Sequence, residues 1–275
     1  MRSKLLSVFV LFTLLSSVAC TSQATTVAPT NTSEPKTLTV LAAASLTESF
    51  TELGALFESQ NPGATVSFSF AGSQALAEQL AQGAEADVFA SANTKYMTAA
   101  IEDSKRVNAQ DSEIFATNRL IVIFPKENPA SLTELKDLAK TDLKLVLADQ
   151  AVPVGQYSME FLDKASADPA FGAQFKDDVL KNVVSYEENV KAVVTKVSLG
   201  EADAGIVYVT DITADAAAKV GTIDIPDELN TIATYPIAAV ADSKNANLAQ
   251  AFVAFVLSPE GQAVLAKYGF IPAAQ

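Results

Sequence analysis

Between residues 38 and 257, short apolar runs alternate with longer segments in which apolar residues recur every three or four positions. Several of the short runs are apolar without interruption, which is typical of strands that are buried on both faces of a sheet. The pattern predicts strands at Leu38–Ala43, Val66–Phe70, Asp87–Ala90, Leu120–Phe124, Leu143–Ala148, Val183–Tyr186, Ala204–Val209 and Pro236–Val240. It predicts helices at Leu46–Asn61, Gln74–Gln82, Thr94–Asp103, Leu132–Ala139, Gln156–Ala165, Val190–Leu199 and Asn247–Leu257. This alternation indicates an α/β fold with mostly parallel sheets flanked by helices.

The first residues follow a different pattern, which is that of a secretory signal. Arg2 and Lys4 precede an apolar run that is too short to span a membrane, and small residues lead from it to Cys20. This end resembles a bacterial lipobox, in which the Cys receives a lipid after cleavage, although Ser17 stands where that motif usually has Leu. The plainer interpretation is an ordinary cleavage site beside a chance Cys.

We therefore predict a signal peptide at residues 1–19 and lipidation of Cys20. Residues 21–36 are rich in Thr, Ser and Pro and offer almost nothing to bury. We expect residues 20–36 to form a lipidated, flexible tether between the membrane and the folded part of the chain.

The composition excludes much catalytic chemistry. The chain contains one Cys and no His, so a disulfide within the chain, a Cys-based metal site, a Ser-His-Asp triad and a His-ligated zinc site are all ruled out. We expect a protein that is not an enzyme and that needs no cofactor.

The charge limits the possible partners. The formal net charge is −13, and removal of the signal peptide would take away two cations and no acids. Nucleic acid is an improbable partner, because phosphate contacts need clustered Lys and Arg. An anionic ligand would gain no long-range attraction, so it would have to be bound by local dipoles.

Polar, aromatic or glycine residues stand where several strands end, which is where ligands bind in α/β sheets. Ser45 follows the first strand, with Glu48 completing a capping-box pattern, and Ser73 follows Gly72 at the start of the next helix. Further along the chain, Pro153 would open a helix in the segment Pro153-Val154-Gly155, Asn189 is a candidate N-cap before Val190, and Tyr208 stands at the end of an apolar strand. Each feature alone is explained as well by an ordinary helix start, loop or buried Tyr.

Together these positions have a common physical meaning if they converge. A helix N-terminus presents free N–H donors and a partial positive charge, so it binds an anion without any cation. Donors alone favour an oxyanion that carries no proton, because they cannot accept a hydrogen bond from one. Spacing along the sequence does not establish that the positions converge.

The same segments resemble the periplasmic molybdate-binding proteins of ABC transporters. The matching motifs occur in the family's order from residue 38 to residue 270, and the ordered set is far more specific than any one motif. They are AAASLTESF, FAGSQALAEQL, GAEADVFASA, VPVGQY, EENV, AGIVYVTD and SPEGQAVLAKYGF.

The resemblance implies a type II periplasmic-binding-protein fold, with two lobes that close on a ligand cleft. Lobe one would comprise residues 37–117 and 236–275, and lobe two residues 118–235, with crossings near Asn118 and Tyr235. The implied function is capture of molybdate, and of tungstate, for delivery to a membrane permease. The protein would be a monomer outside the cytoplasm, either lipid-anchored to the outer face of the cell membrane or periplasmic.

The resemblance also implies ligand contacts, position by position. They would be made to the oxygens of molybdate and not to the metal itself. On lobe one they come from hydroxyls and backbone N–H groups, and on lobe two from two backbone N–H groups and a phenol. The implied contacts are Ser45, Ser73, Val154, Val190 and Tyr208.

Three other functions remain open at this stage. A receptor for sulfate or another tetrahedral oxyanion would use similar dipoles. An enzyme would need Ser45 or Ser73 as a nucleophile, but neither Ser is followed by the S-x-x-K pattern that could replace the missing His. The effector domain of a regulator would share the fold, but a signal sequence and the lack of a DNA-binding segment argue against it.

Overall fold

The computed structural model describes residues 36–272. The predicted signal peptide, Cys20 and all but the last residue of the predicted tether lie outside the described residues, as do residues 273–275. The tether and lipid-anchor predictions are therefore left untested by the structure.

The described residues form two sheets. Strands β1 to β11 lie, in chain order, at Lys36–Ala43, Ala64–Ala71, Val88–Ala90, Glu113–Asn118, Leu120–Pro125, Leu145–Ala148, Val183–Glu187, Ala204–Tyr208, Val220–Asp224, Ala233–Ala239 and Ile271–Pro272. The first sheet has the order β11-β4-β10-β3-β1-β2, and the second has the order β7-β6-β8-β5-β9.

Helices flank both sheets. Helices α1 to α9 lie at Thr47–Gln60, Ser73–Ala81, Thr94–Glu102, Pro153–Ala167, Phe175–Lys181, Val190–Ser198, Ala214–Ala217, Ala246–Leu257 and Pro259–Lys267. Short 3-10 helices lie at Ala44–Leu46, Ala109–Asp111, Leu135–Ala139 and Val209–Asp211. Each of the eight predicted strands is present, and the segment predicted as a helix at Leu132–Ala139 forms only the third of these 3-10 turns.

Both sheets are more mixed than the sequence pattern indicated. In the first sheet β1 pairs in parallel with β2 and β3, whereas β10 runs antiparallel to β3 and β4. In the second sheet β6 is parallel to β7 and β8, whereas β5 is antiparallel to β8 and β9. Strands β4, β5, β9 and β10 carry the chain between the sheets, near residues 118–120 and 224–233, and are therefore not part of β-helix-β units.

The core of the first sheet has helices on both faces. On one face Phe50 of α1 packs against Phe115 and Phe252, with ring centroids 5.7 and 6.1 Å apart. On the other face Leu76 and Met97, from α2 and α3, cover the sheet. Burial of each large apolar side chain contributes about 1.5–3 kcal/mol to the free energy of folding, so the helices on both faces stabilise the sheet.

In the described part of the chain, no single helix has the length and hydropathy needed to cross a membrane. The bent pair α8 and α9 meets that criterion only when the two are taken together.

Candidate functional site

The candidate site is a small cavity between the two sheets, at the ends of β1, β2 and β8. All five residues singled out from the sequence line it, and each is at most 4% exposed. They are Ser45, Ser73, Val154, Val190 and Tyr208. The convergence that the sequence could not establish is therefore present.

On the first-sheet side, Ser45 lies in the 3-10 helix between β1 and α1. The capping box predicted for Ser45 and Glu48 does not form, because α1 begins only at Thr47 and its cap makes no side-chain bond. The Ser45 hydroxyl is instead 3.0 Å from the Tyr235 hydroxyl. Ser45 is therefore not a helix cap, and its side chain faces the cavity.

Ser73 is the first residue of α2, as the sequence indicated. Its Oγ accepts a hydrogen bond from the backbone N–H of Ala92 at 3.0 Å. The preceding Gly72 has φ −59°, so the turn does not require glycine. A Cβ there would lie 2.6 Å from the carbonyl oxygen of Glu188, which is on the opposite side of the cleft. The reason for glycine is therefore the close approach of the two sides of the cleft.

On the second-sheet side, two helix starts point their backbone at the cavity. Val154 is the second residue of α4, which Pro153 opens, and Val190 is the first residue of α6. The side chain of Asn189 caps α6 by accepting from the N–H of Ala192 at 3.0 Å, as predicted. The first N–H groups of a helix have no partner within it, so both starts present free donors.

Tyr208 contributes a phenol at the end of β8. It is 1% exposed, and within residues 36–272 its hydroxyl has no hydrogen-bond partner. Burial, helped by the nearby Tyr235, raises the pKa of Tyr208 well above its usual value. The hydroxyl thus keeps its proton at neutral pH, and a buried donor of this kind costs free energy unless a ligand accepts from it.

Of the residues between 36 and 272 that line the cavity, none carries a charged side chain. Arg106 instead pairs with Asp242, and Arg119 pairs with Asp227. The closest acid in sequence, Asp211, accepts from the backbone N–H of Tyr208 at 3.0 Å and does not line the cavity. Burial raises the pKa of Asp211 to about 6, in opposition to the nearby Lys191. The cavity therefore offers donors and no carboxylate acceptor.

A cluster of three charged side chains joins the two sides of the cleft beside the cavity. Lys191 Nζ lies 2.9 and 2.8 Å from the two carboxylate oxygens of Glu48 on α1, and 3.3 Å from Asp211. Since α1 packs on the first sheet and α6 on the second, this contact closes the cleft at one end.

Further contacts cross the cleft elsewhere. Gln74 donates its side-chain amide to the carbonyl of Glu188 at 2.9 Å, and the Tyr96 hydroxyl donates to the carbonyl of Ala151. No local pattern in the sequence indicates these pairs, because their residues are far apart along the chain and are ordinary surface types.

Neither serine has the neighbours of a nucleophile. In the described part of the chain, the hydroxyl of Ser45 contacts that of Tyr235, and Ser73 accepts from a backbone N–H. The described residues that line the cavity include no carboxylate or amine that could act as a base. The arrangement suits binding of an anion by neutral donors better than covalent chemistry.

Comparison with known proteins agrees with this geometry. The family described as bacterial extracellular solute-binding protein matches residues 38–271. The "Molybdate-binding protein ModA" of Mycobacterium tuberculosis strain H37Rv is 35% identical over 254 residues, which are 92% of each chain. A Bacillus subtilis strain 168 relative, YvgL, whose name describes an ABC transporter substrate-binding lipoprotein, is 30% identical and covers 88% of each chain.

Solved structures share the fold at lower identity. The periplasmic molybdate-binding protein of Azotobacter vinelandii aligns with a TM-score of 0.73 at 18% identity, over 86% of this chain and 100% of that one. The sulfate-binding protein SubI of M. tuberculosis aligns with a TM-score of 0.77 at 18% identity, over 86% and 87% of the two chains. The chain belongs to the bacterial extracellular solute-binding proteins, and within them it is ModA-like.

Proposed function

We propose that this solute-binding protein captures molybdate outside the cytoplasm and delivers it to the membrane permease of an ABC importer. The observation that carries the proposal is the set of five buried donors around one uncharged cavity, with the Tyr208 hydroxyl free to donate. Relatives at 30% identity or more that bear the name molybdate-binding protein support the choice of ion. Tungstate has the same shape and charge, and we expect it to bind as well.

In this proposal the donors divide between two lobes that close on the ion. Lobe one comprises residues 37–117 and 236–275, and lobe two comprises residues 118–235. Each hydrogen bond to the charged ligand contributes about 1.5–3 kcal/mol, from which association and closure costs are subtracted. The contacts of Lys191 with Glu48 and of Gln74 with Glu188 would then form as the lobes close.

We further propose that Cys20 is lipidated and that the protein acts as a monomer tethered to the outer face of the cell membrane. The apolar run and small residues before Cys20 support the anchor, as does the lipoprotein named among the relatives. Metabolic labelling with a fatty acid would test it, with Cys20→Ser as the unlabelled control.

A panel of anions tests the choice of ligand. At concentrations near 100 times Kd, molybdate and tungstate should raise the melting temperature by about 5–10 °C, because ligand binding stabilises the folded state. Sulfate and phosphate at the same concentration should raise it much less. Equal shifts with sulfate and molybdate would contradict the choice of ion, and no shift with any oxyanion would contradict the function.

A sulfate receptor is the second candidate, because the sulfate-binding neighbour shares the fold as closely as the molybdate-binding one. Phosphate fits less well, because it carries a proton near neutral pH and the cavity has no carboxylate to accept it. The same panel separates the two, since a sulfate receptor would show its largest shift with sulfate.

A further inference from the structure

A buried chain of hydrogen bonds connects the strands that pass between the sheets to the cavity. Asn118 ends β4 and Tyr235 lies on β10, and these neighbouring strands carry the chain to and from the second sheet. Asn118 is 1% exposed and Tyr235 is fully buried. Neither residue lines the cavity, and sequence reasoning marked both only as crossing points.

The direction of each bond in this chain follows from its donors. The backbone N–H of Arg119 donates to Oδ1 of Asn118 at 2.9 Å, which fixes the orientation of the amide. Nδ2 of Asn118 then donates to Oγ1 of Thr210 at 2.7 Å and to the Tyr235 hydroxyl at 3.4 Å. An amide nitrogen can only donate, so the Tyr235 oxygen accepts here and its own proton is free for another partner.

Ser45 can accept this proton, because its Oγ lies 3.0 Å from the Tyr235 oxygen. Burial raises the pKa of Tyr235 far above neutral pH, so the phenol remains a donor. When Ser45 accepts from Tyr235, the Ser45 proton must point elsewhere, and the remaining direction is the cavity that Ser45 lines.

We infer that Tyr235, oriented by Asn118, is a positioning residue that holds the Ser45 hydroxyl as a donor to the bound anion. The inference rests on the proposed function and extends it to residues that do not touch the ligand. Ser73 is held in the same sense by a different donor, the N–H of Ala92 at 3.0 Å. Both serines of the first-sheet side thus accept from the protein and donate into the cavity.

This arrangement bears on the class of ligand. A ligand oxygen that carries a proton needs an acceptor for that proton, whereas the serines point their own protons at the ligand and none of the described residues lining the cavity is a carboxylate. The positioning of Ser45 therefore discriminates against protonated oxyanions. Thr210 follows β8 of the second sheet, so the same chain of hydrogen bonds connects the Ser45 hydroxyl with both sides of the cleft.

A double-mutant cycle on the purified protein tests the inference. Tyr235→Phe removes only the hydroxyl, and calorimetric titration with molybdate should show about tenfold weaker binding. In a Ser45→Ala background the same substitution should change the affinity less than about twofold, because the donor it positions is already gone. Tyr268→Phe is the matched control. The Tyr268 hydroxyl donates to Glu52 at 2.7 Å and does not line the cavity.

The outcomes separate this inference from the proposed function. Equal losses in both backgrounds, or no loss in either, would overturn the positioning role while leaving molybdate binding intact. A wild-type protein that binds no oxyanion would overturn both. If circular dichroism shows that Tyr235→Phe does not fold, Asn118→Ala replaces it in the same cycle. We then expect a loss of molybdate affinity only in the background that retains Ser45.

Discussion

The two sides of the cleft meet the proposed anion with different chemistry. The first-sheet side offers the serine hydroxyls of Ser45 and Ser73, whereas the second-sheet side offers mainly backbone N–H groups, those of Val154 and Val190, beside the single hydroxyl of Tyr208. A side-chain donor can be deleted by one substitution, but a backbone donor can only be moved. The hydroxyl donors and the backbone N–H donors should therefore respond to opposite kinds of mutation, which makes the comparison testable.

The largest effect is expected from moving the backbone on the second-sheet side. A Cβ at Gly155 would lie 2.0 Å from the carbonyl oxygen of Asp149 and 2.5 Å from that of Ala148, so Gly155→Ala must displace the start of α4. We expect molybdate binding to weaken by more than about 100-fold in calorimetry, because the donor of Val154 moves with it. Ser158→Ala, on the same helix but outside the cavity, is the control and should bind normally.

Deleting a hydroxyl on the first-sheet side should have the next largest effect. Ser45→Ala and Ser73→Ala each remove one donor to a buried charge, and each should weaken binding by about 1–3 kcal/mol in calorimetry. Ser49→Ala is the control, because this buried serine bonds the carbonyl of Leu46 at 3.2 Å and lies outside the cavity. Unchanged affinity in both cavity variants would show that the first-sheet side does not contribute its hydroxyls.

Asp211, behind Tyr208 on the second-sheet side, should give a pH-dependent stability. Its pKa is raised to about 6 in the folded protein, so between about pH 4 and 6 the folded state holds more protons than the unfolded chain. The stability it contributes is complete below that window and is lost as the pH rises through 6. We compare the free energy of unfolding of the wild type with that of Asp211→Asn. The difference, wild type minus variant, should increase by about 2 kcal/mol when the pH is lowered from 7.5 to 4.5. A difference that does not vary with pH in urea titrations would contradict the burial of this carboxyl.

The ion pair that joins the two sides should have a smaller effect. Glu48→Gln breaks the ion pair between Glu48 and Lys191 but leaves Lys191 paired with Asp211. Because Glu48 and Lys191 are both partly exposed, we expect molybdate binding to weaken by only about two- to fivefold. Glu52→Gln is the control, since Glu52 pairs with Lys267 on the first-sheet side alone. An equal loss in the control would mean that the effect is not specific to closure.

The smallest effect is expected from changing a side chain on the second-sheet side without moving its backbone. Val154→Thr keeps the N–H and nearly the same volume, and we expect the affinity to change by less than about 0.5 kcal/mol. A tenfold loss in the same titration would show that the Val154 side chain, and not its N–H, determines binding.

The same contrast explains how much the sequence could predict. The residues at the ends of β1, β2 and β8 were found because strand ends and helix starts leave local patterns, and the Asn189 cap and the Pro153 start are present as expected. The strands Glu113–Asn118 and Val220–Asp224 were missed, because their burial is partial and their polar residues break the apolar pattern.

Other features depended on contacts between distant segments. Glu48 was assigned to a local capping box, but it pairs with Lys191 at a separation of 143 residues. Tyr235 and Ser45 are separated by 190 residues, and nothing in the sequence near either one indicates the bond between them. Local sequence patterns predict the donors themselves. The contacts that orient the donors and close the cleft are seen only in the folded structure.

The most direct test of the central claim is a crystal structure of the protein with tungstate, whose anomalous scattering locates the ion. The account predicts one ion in the cavity, with its oxygens within hydrogen-bond distance of the hydroxyls of Ser45, Ser73 and Tyr208. The backbone N–H groups of Val154 and Val190 should complete the shell. An ion bound elsewhere, or held in this cavity by a Lys or Arg side chain, would contradict the account.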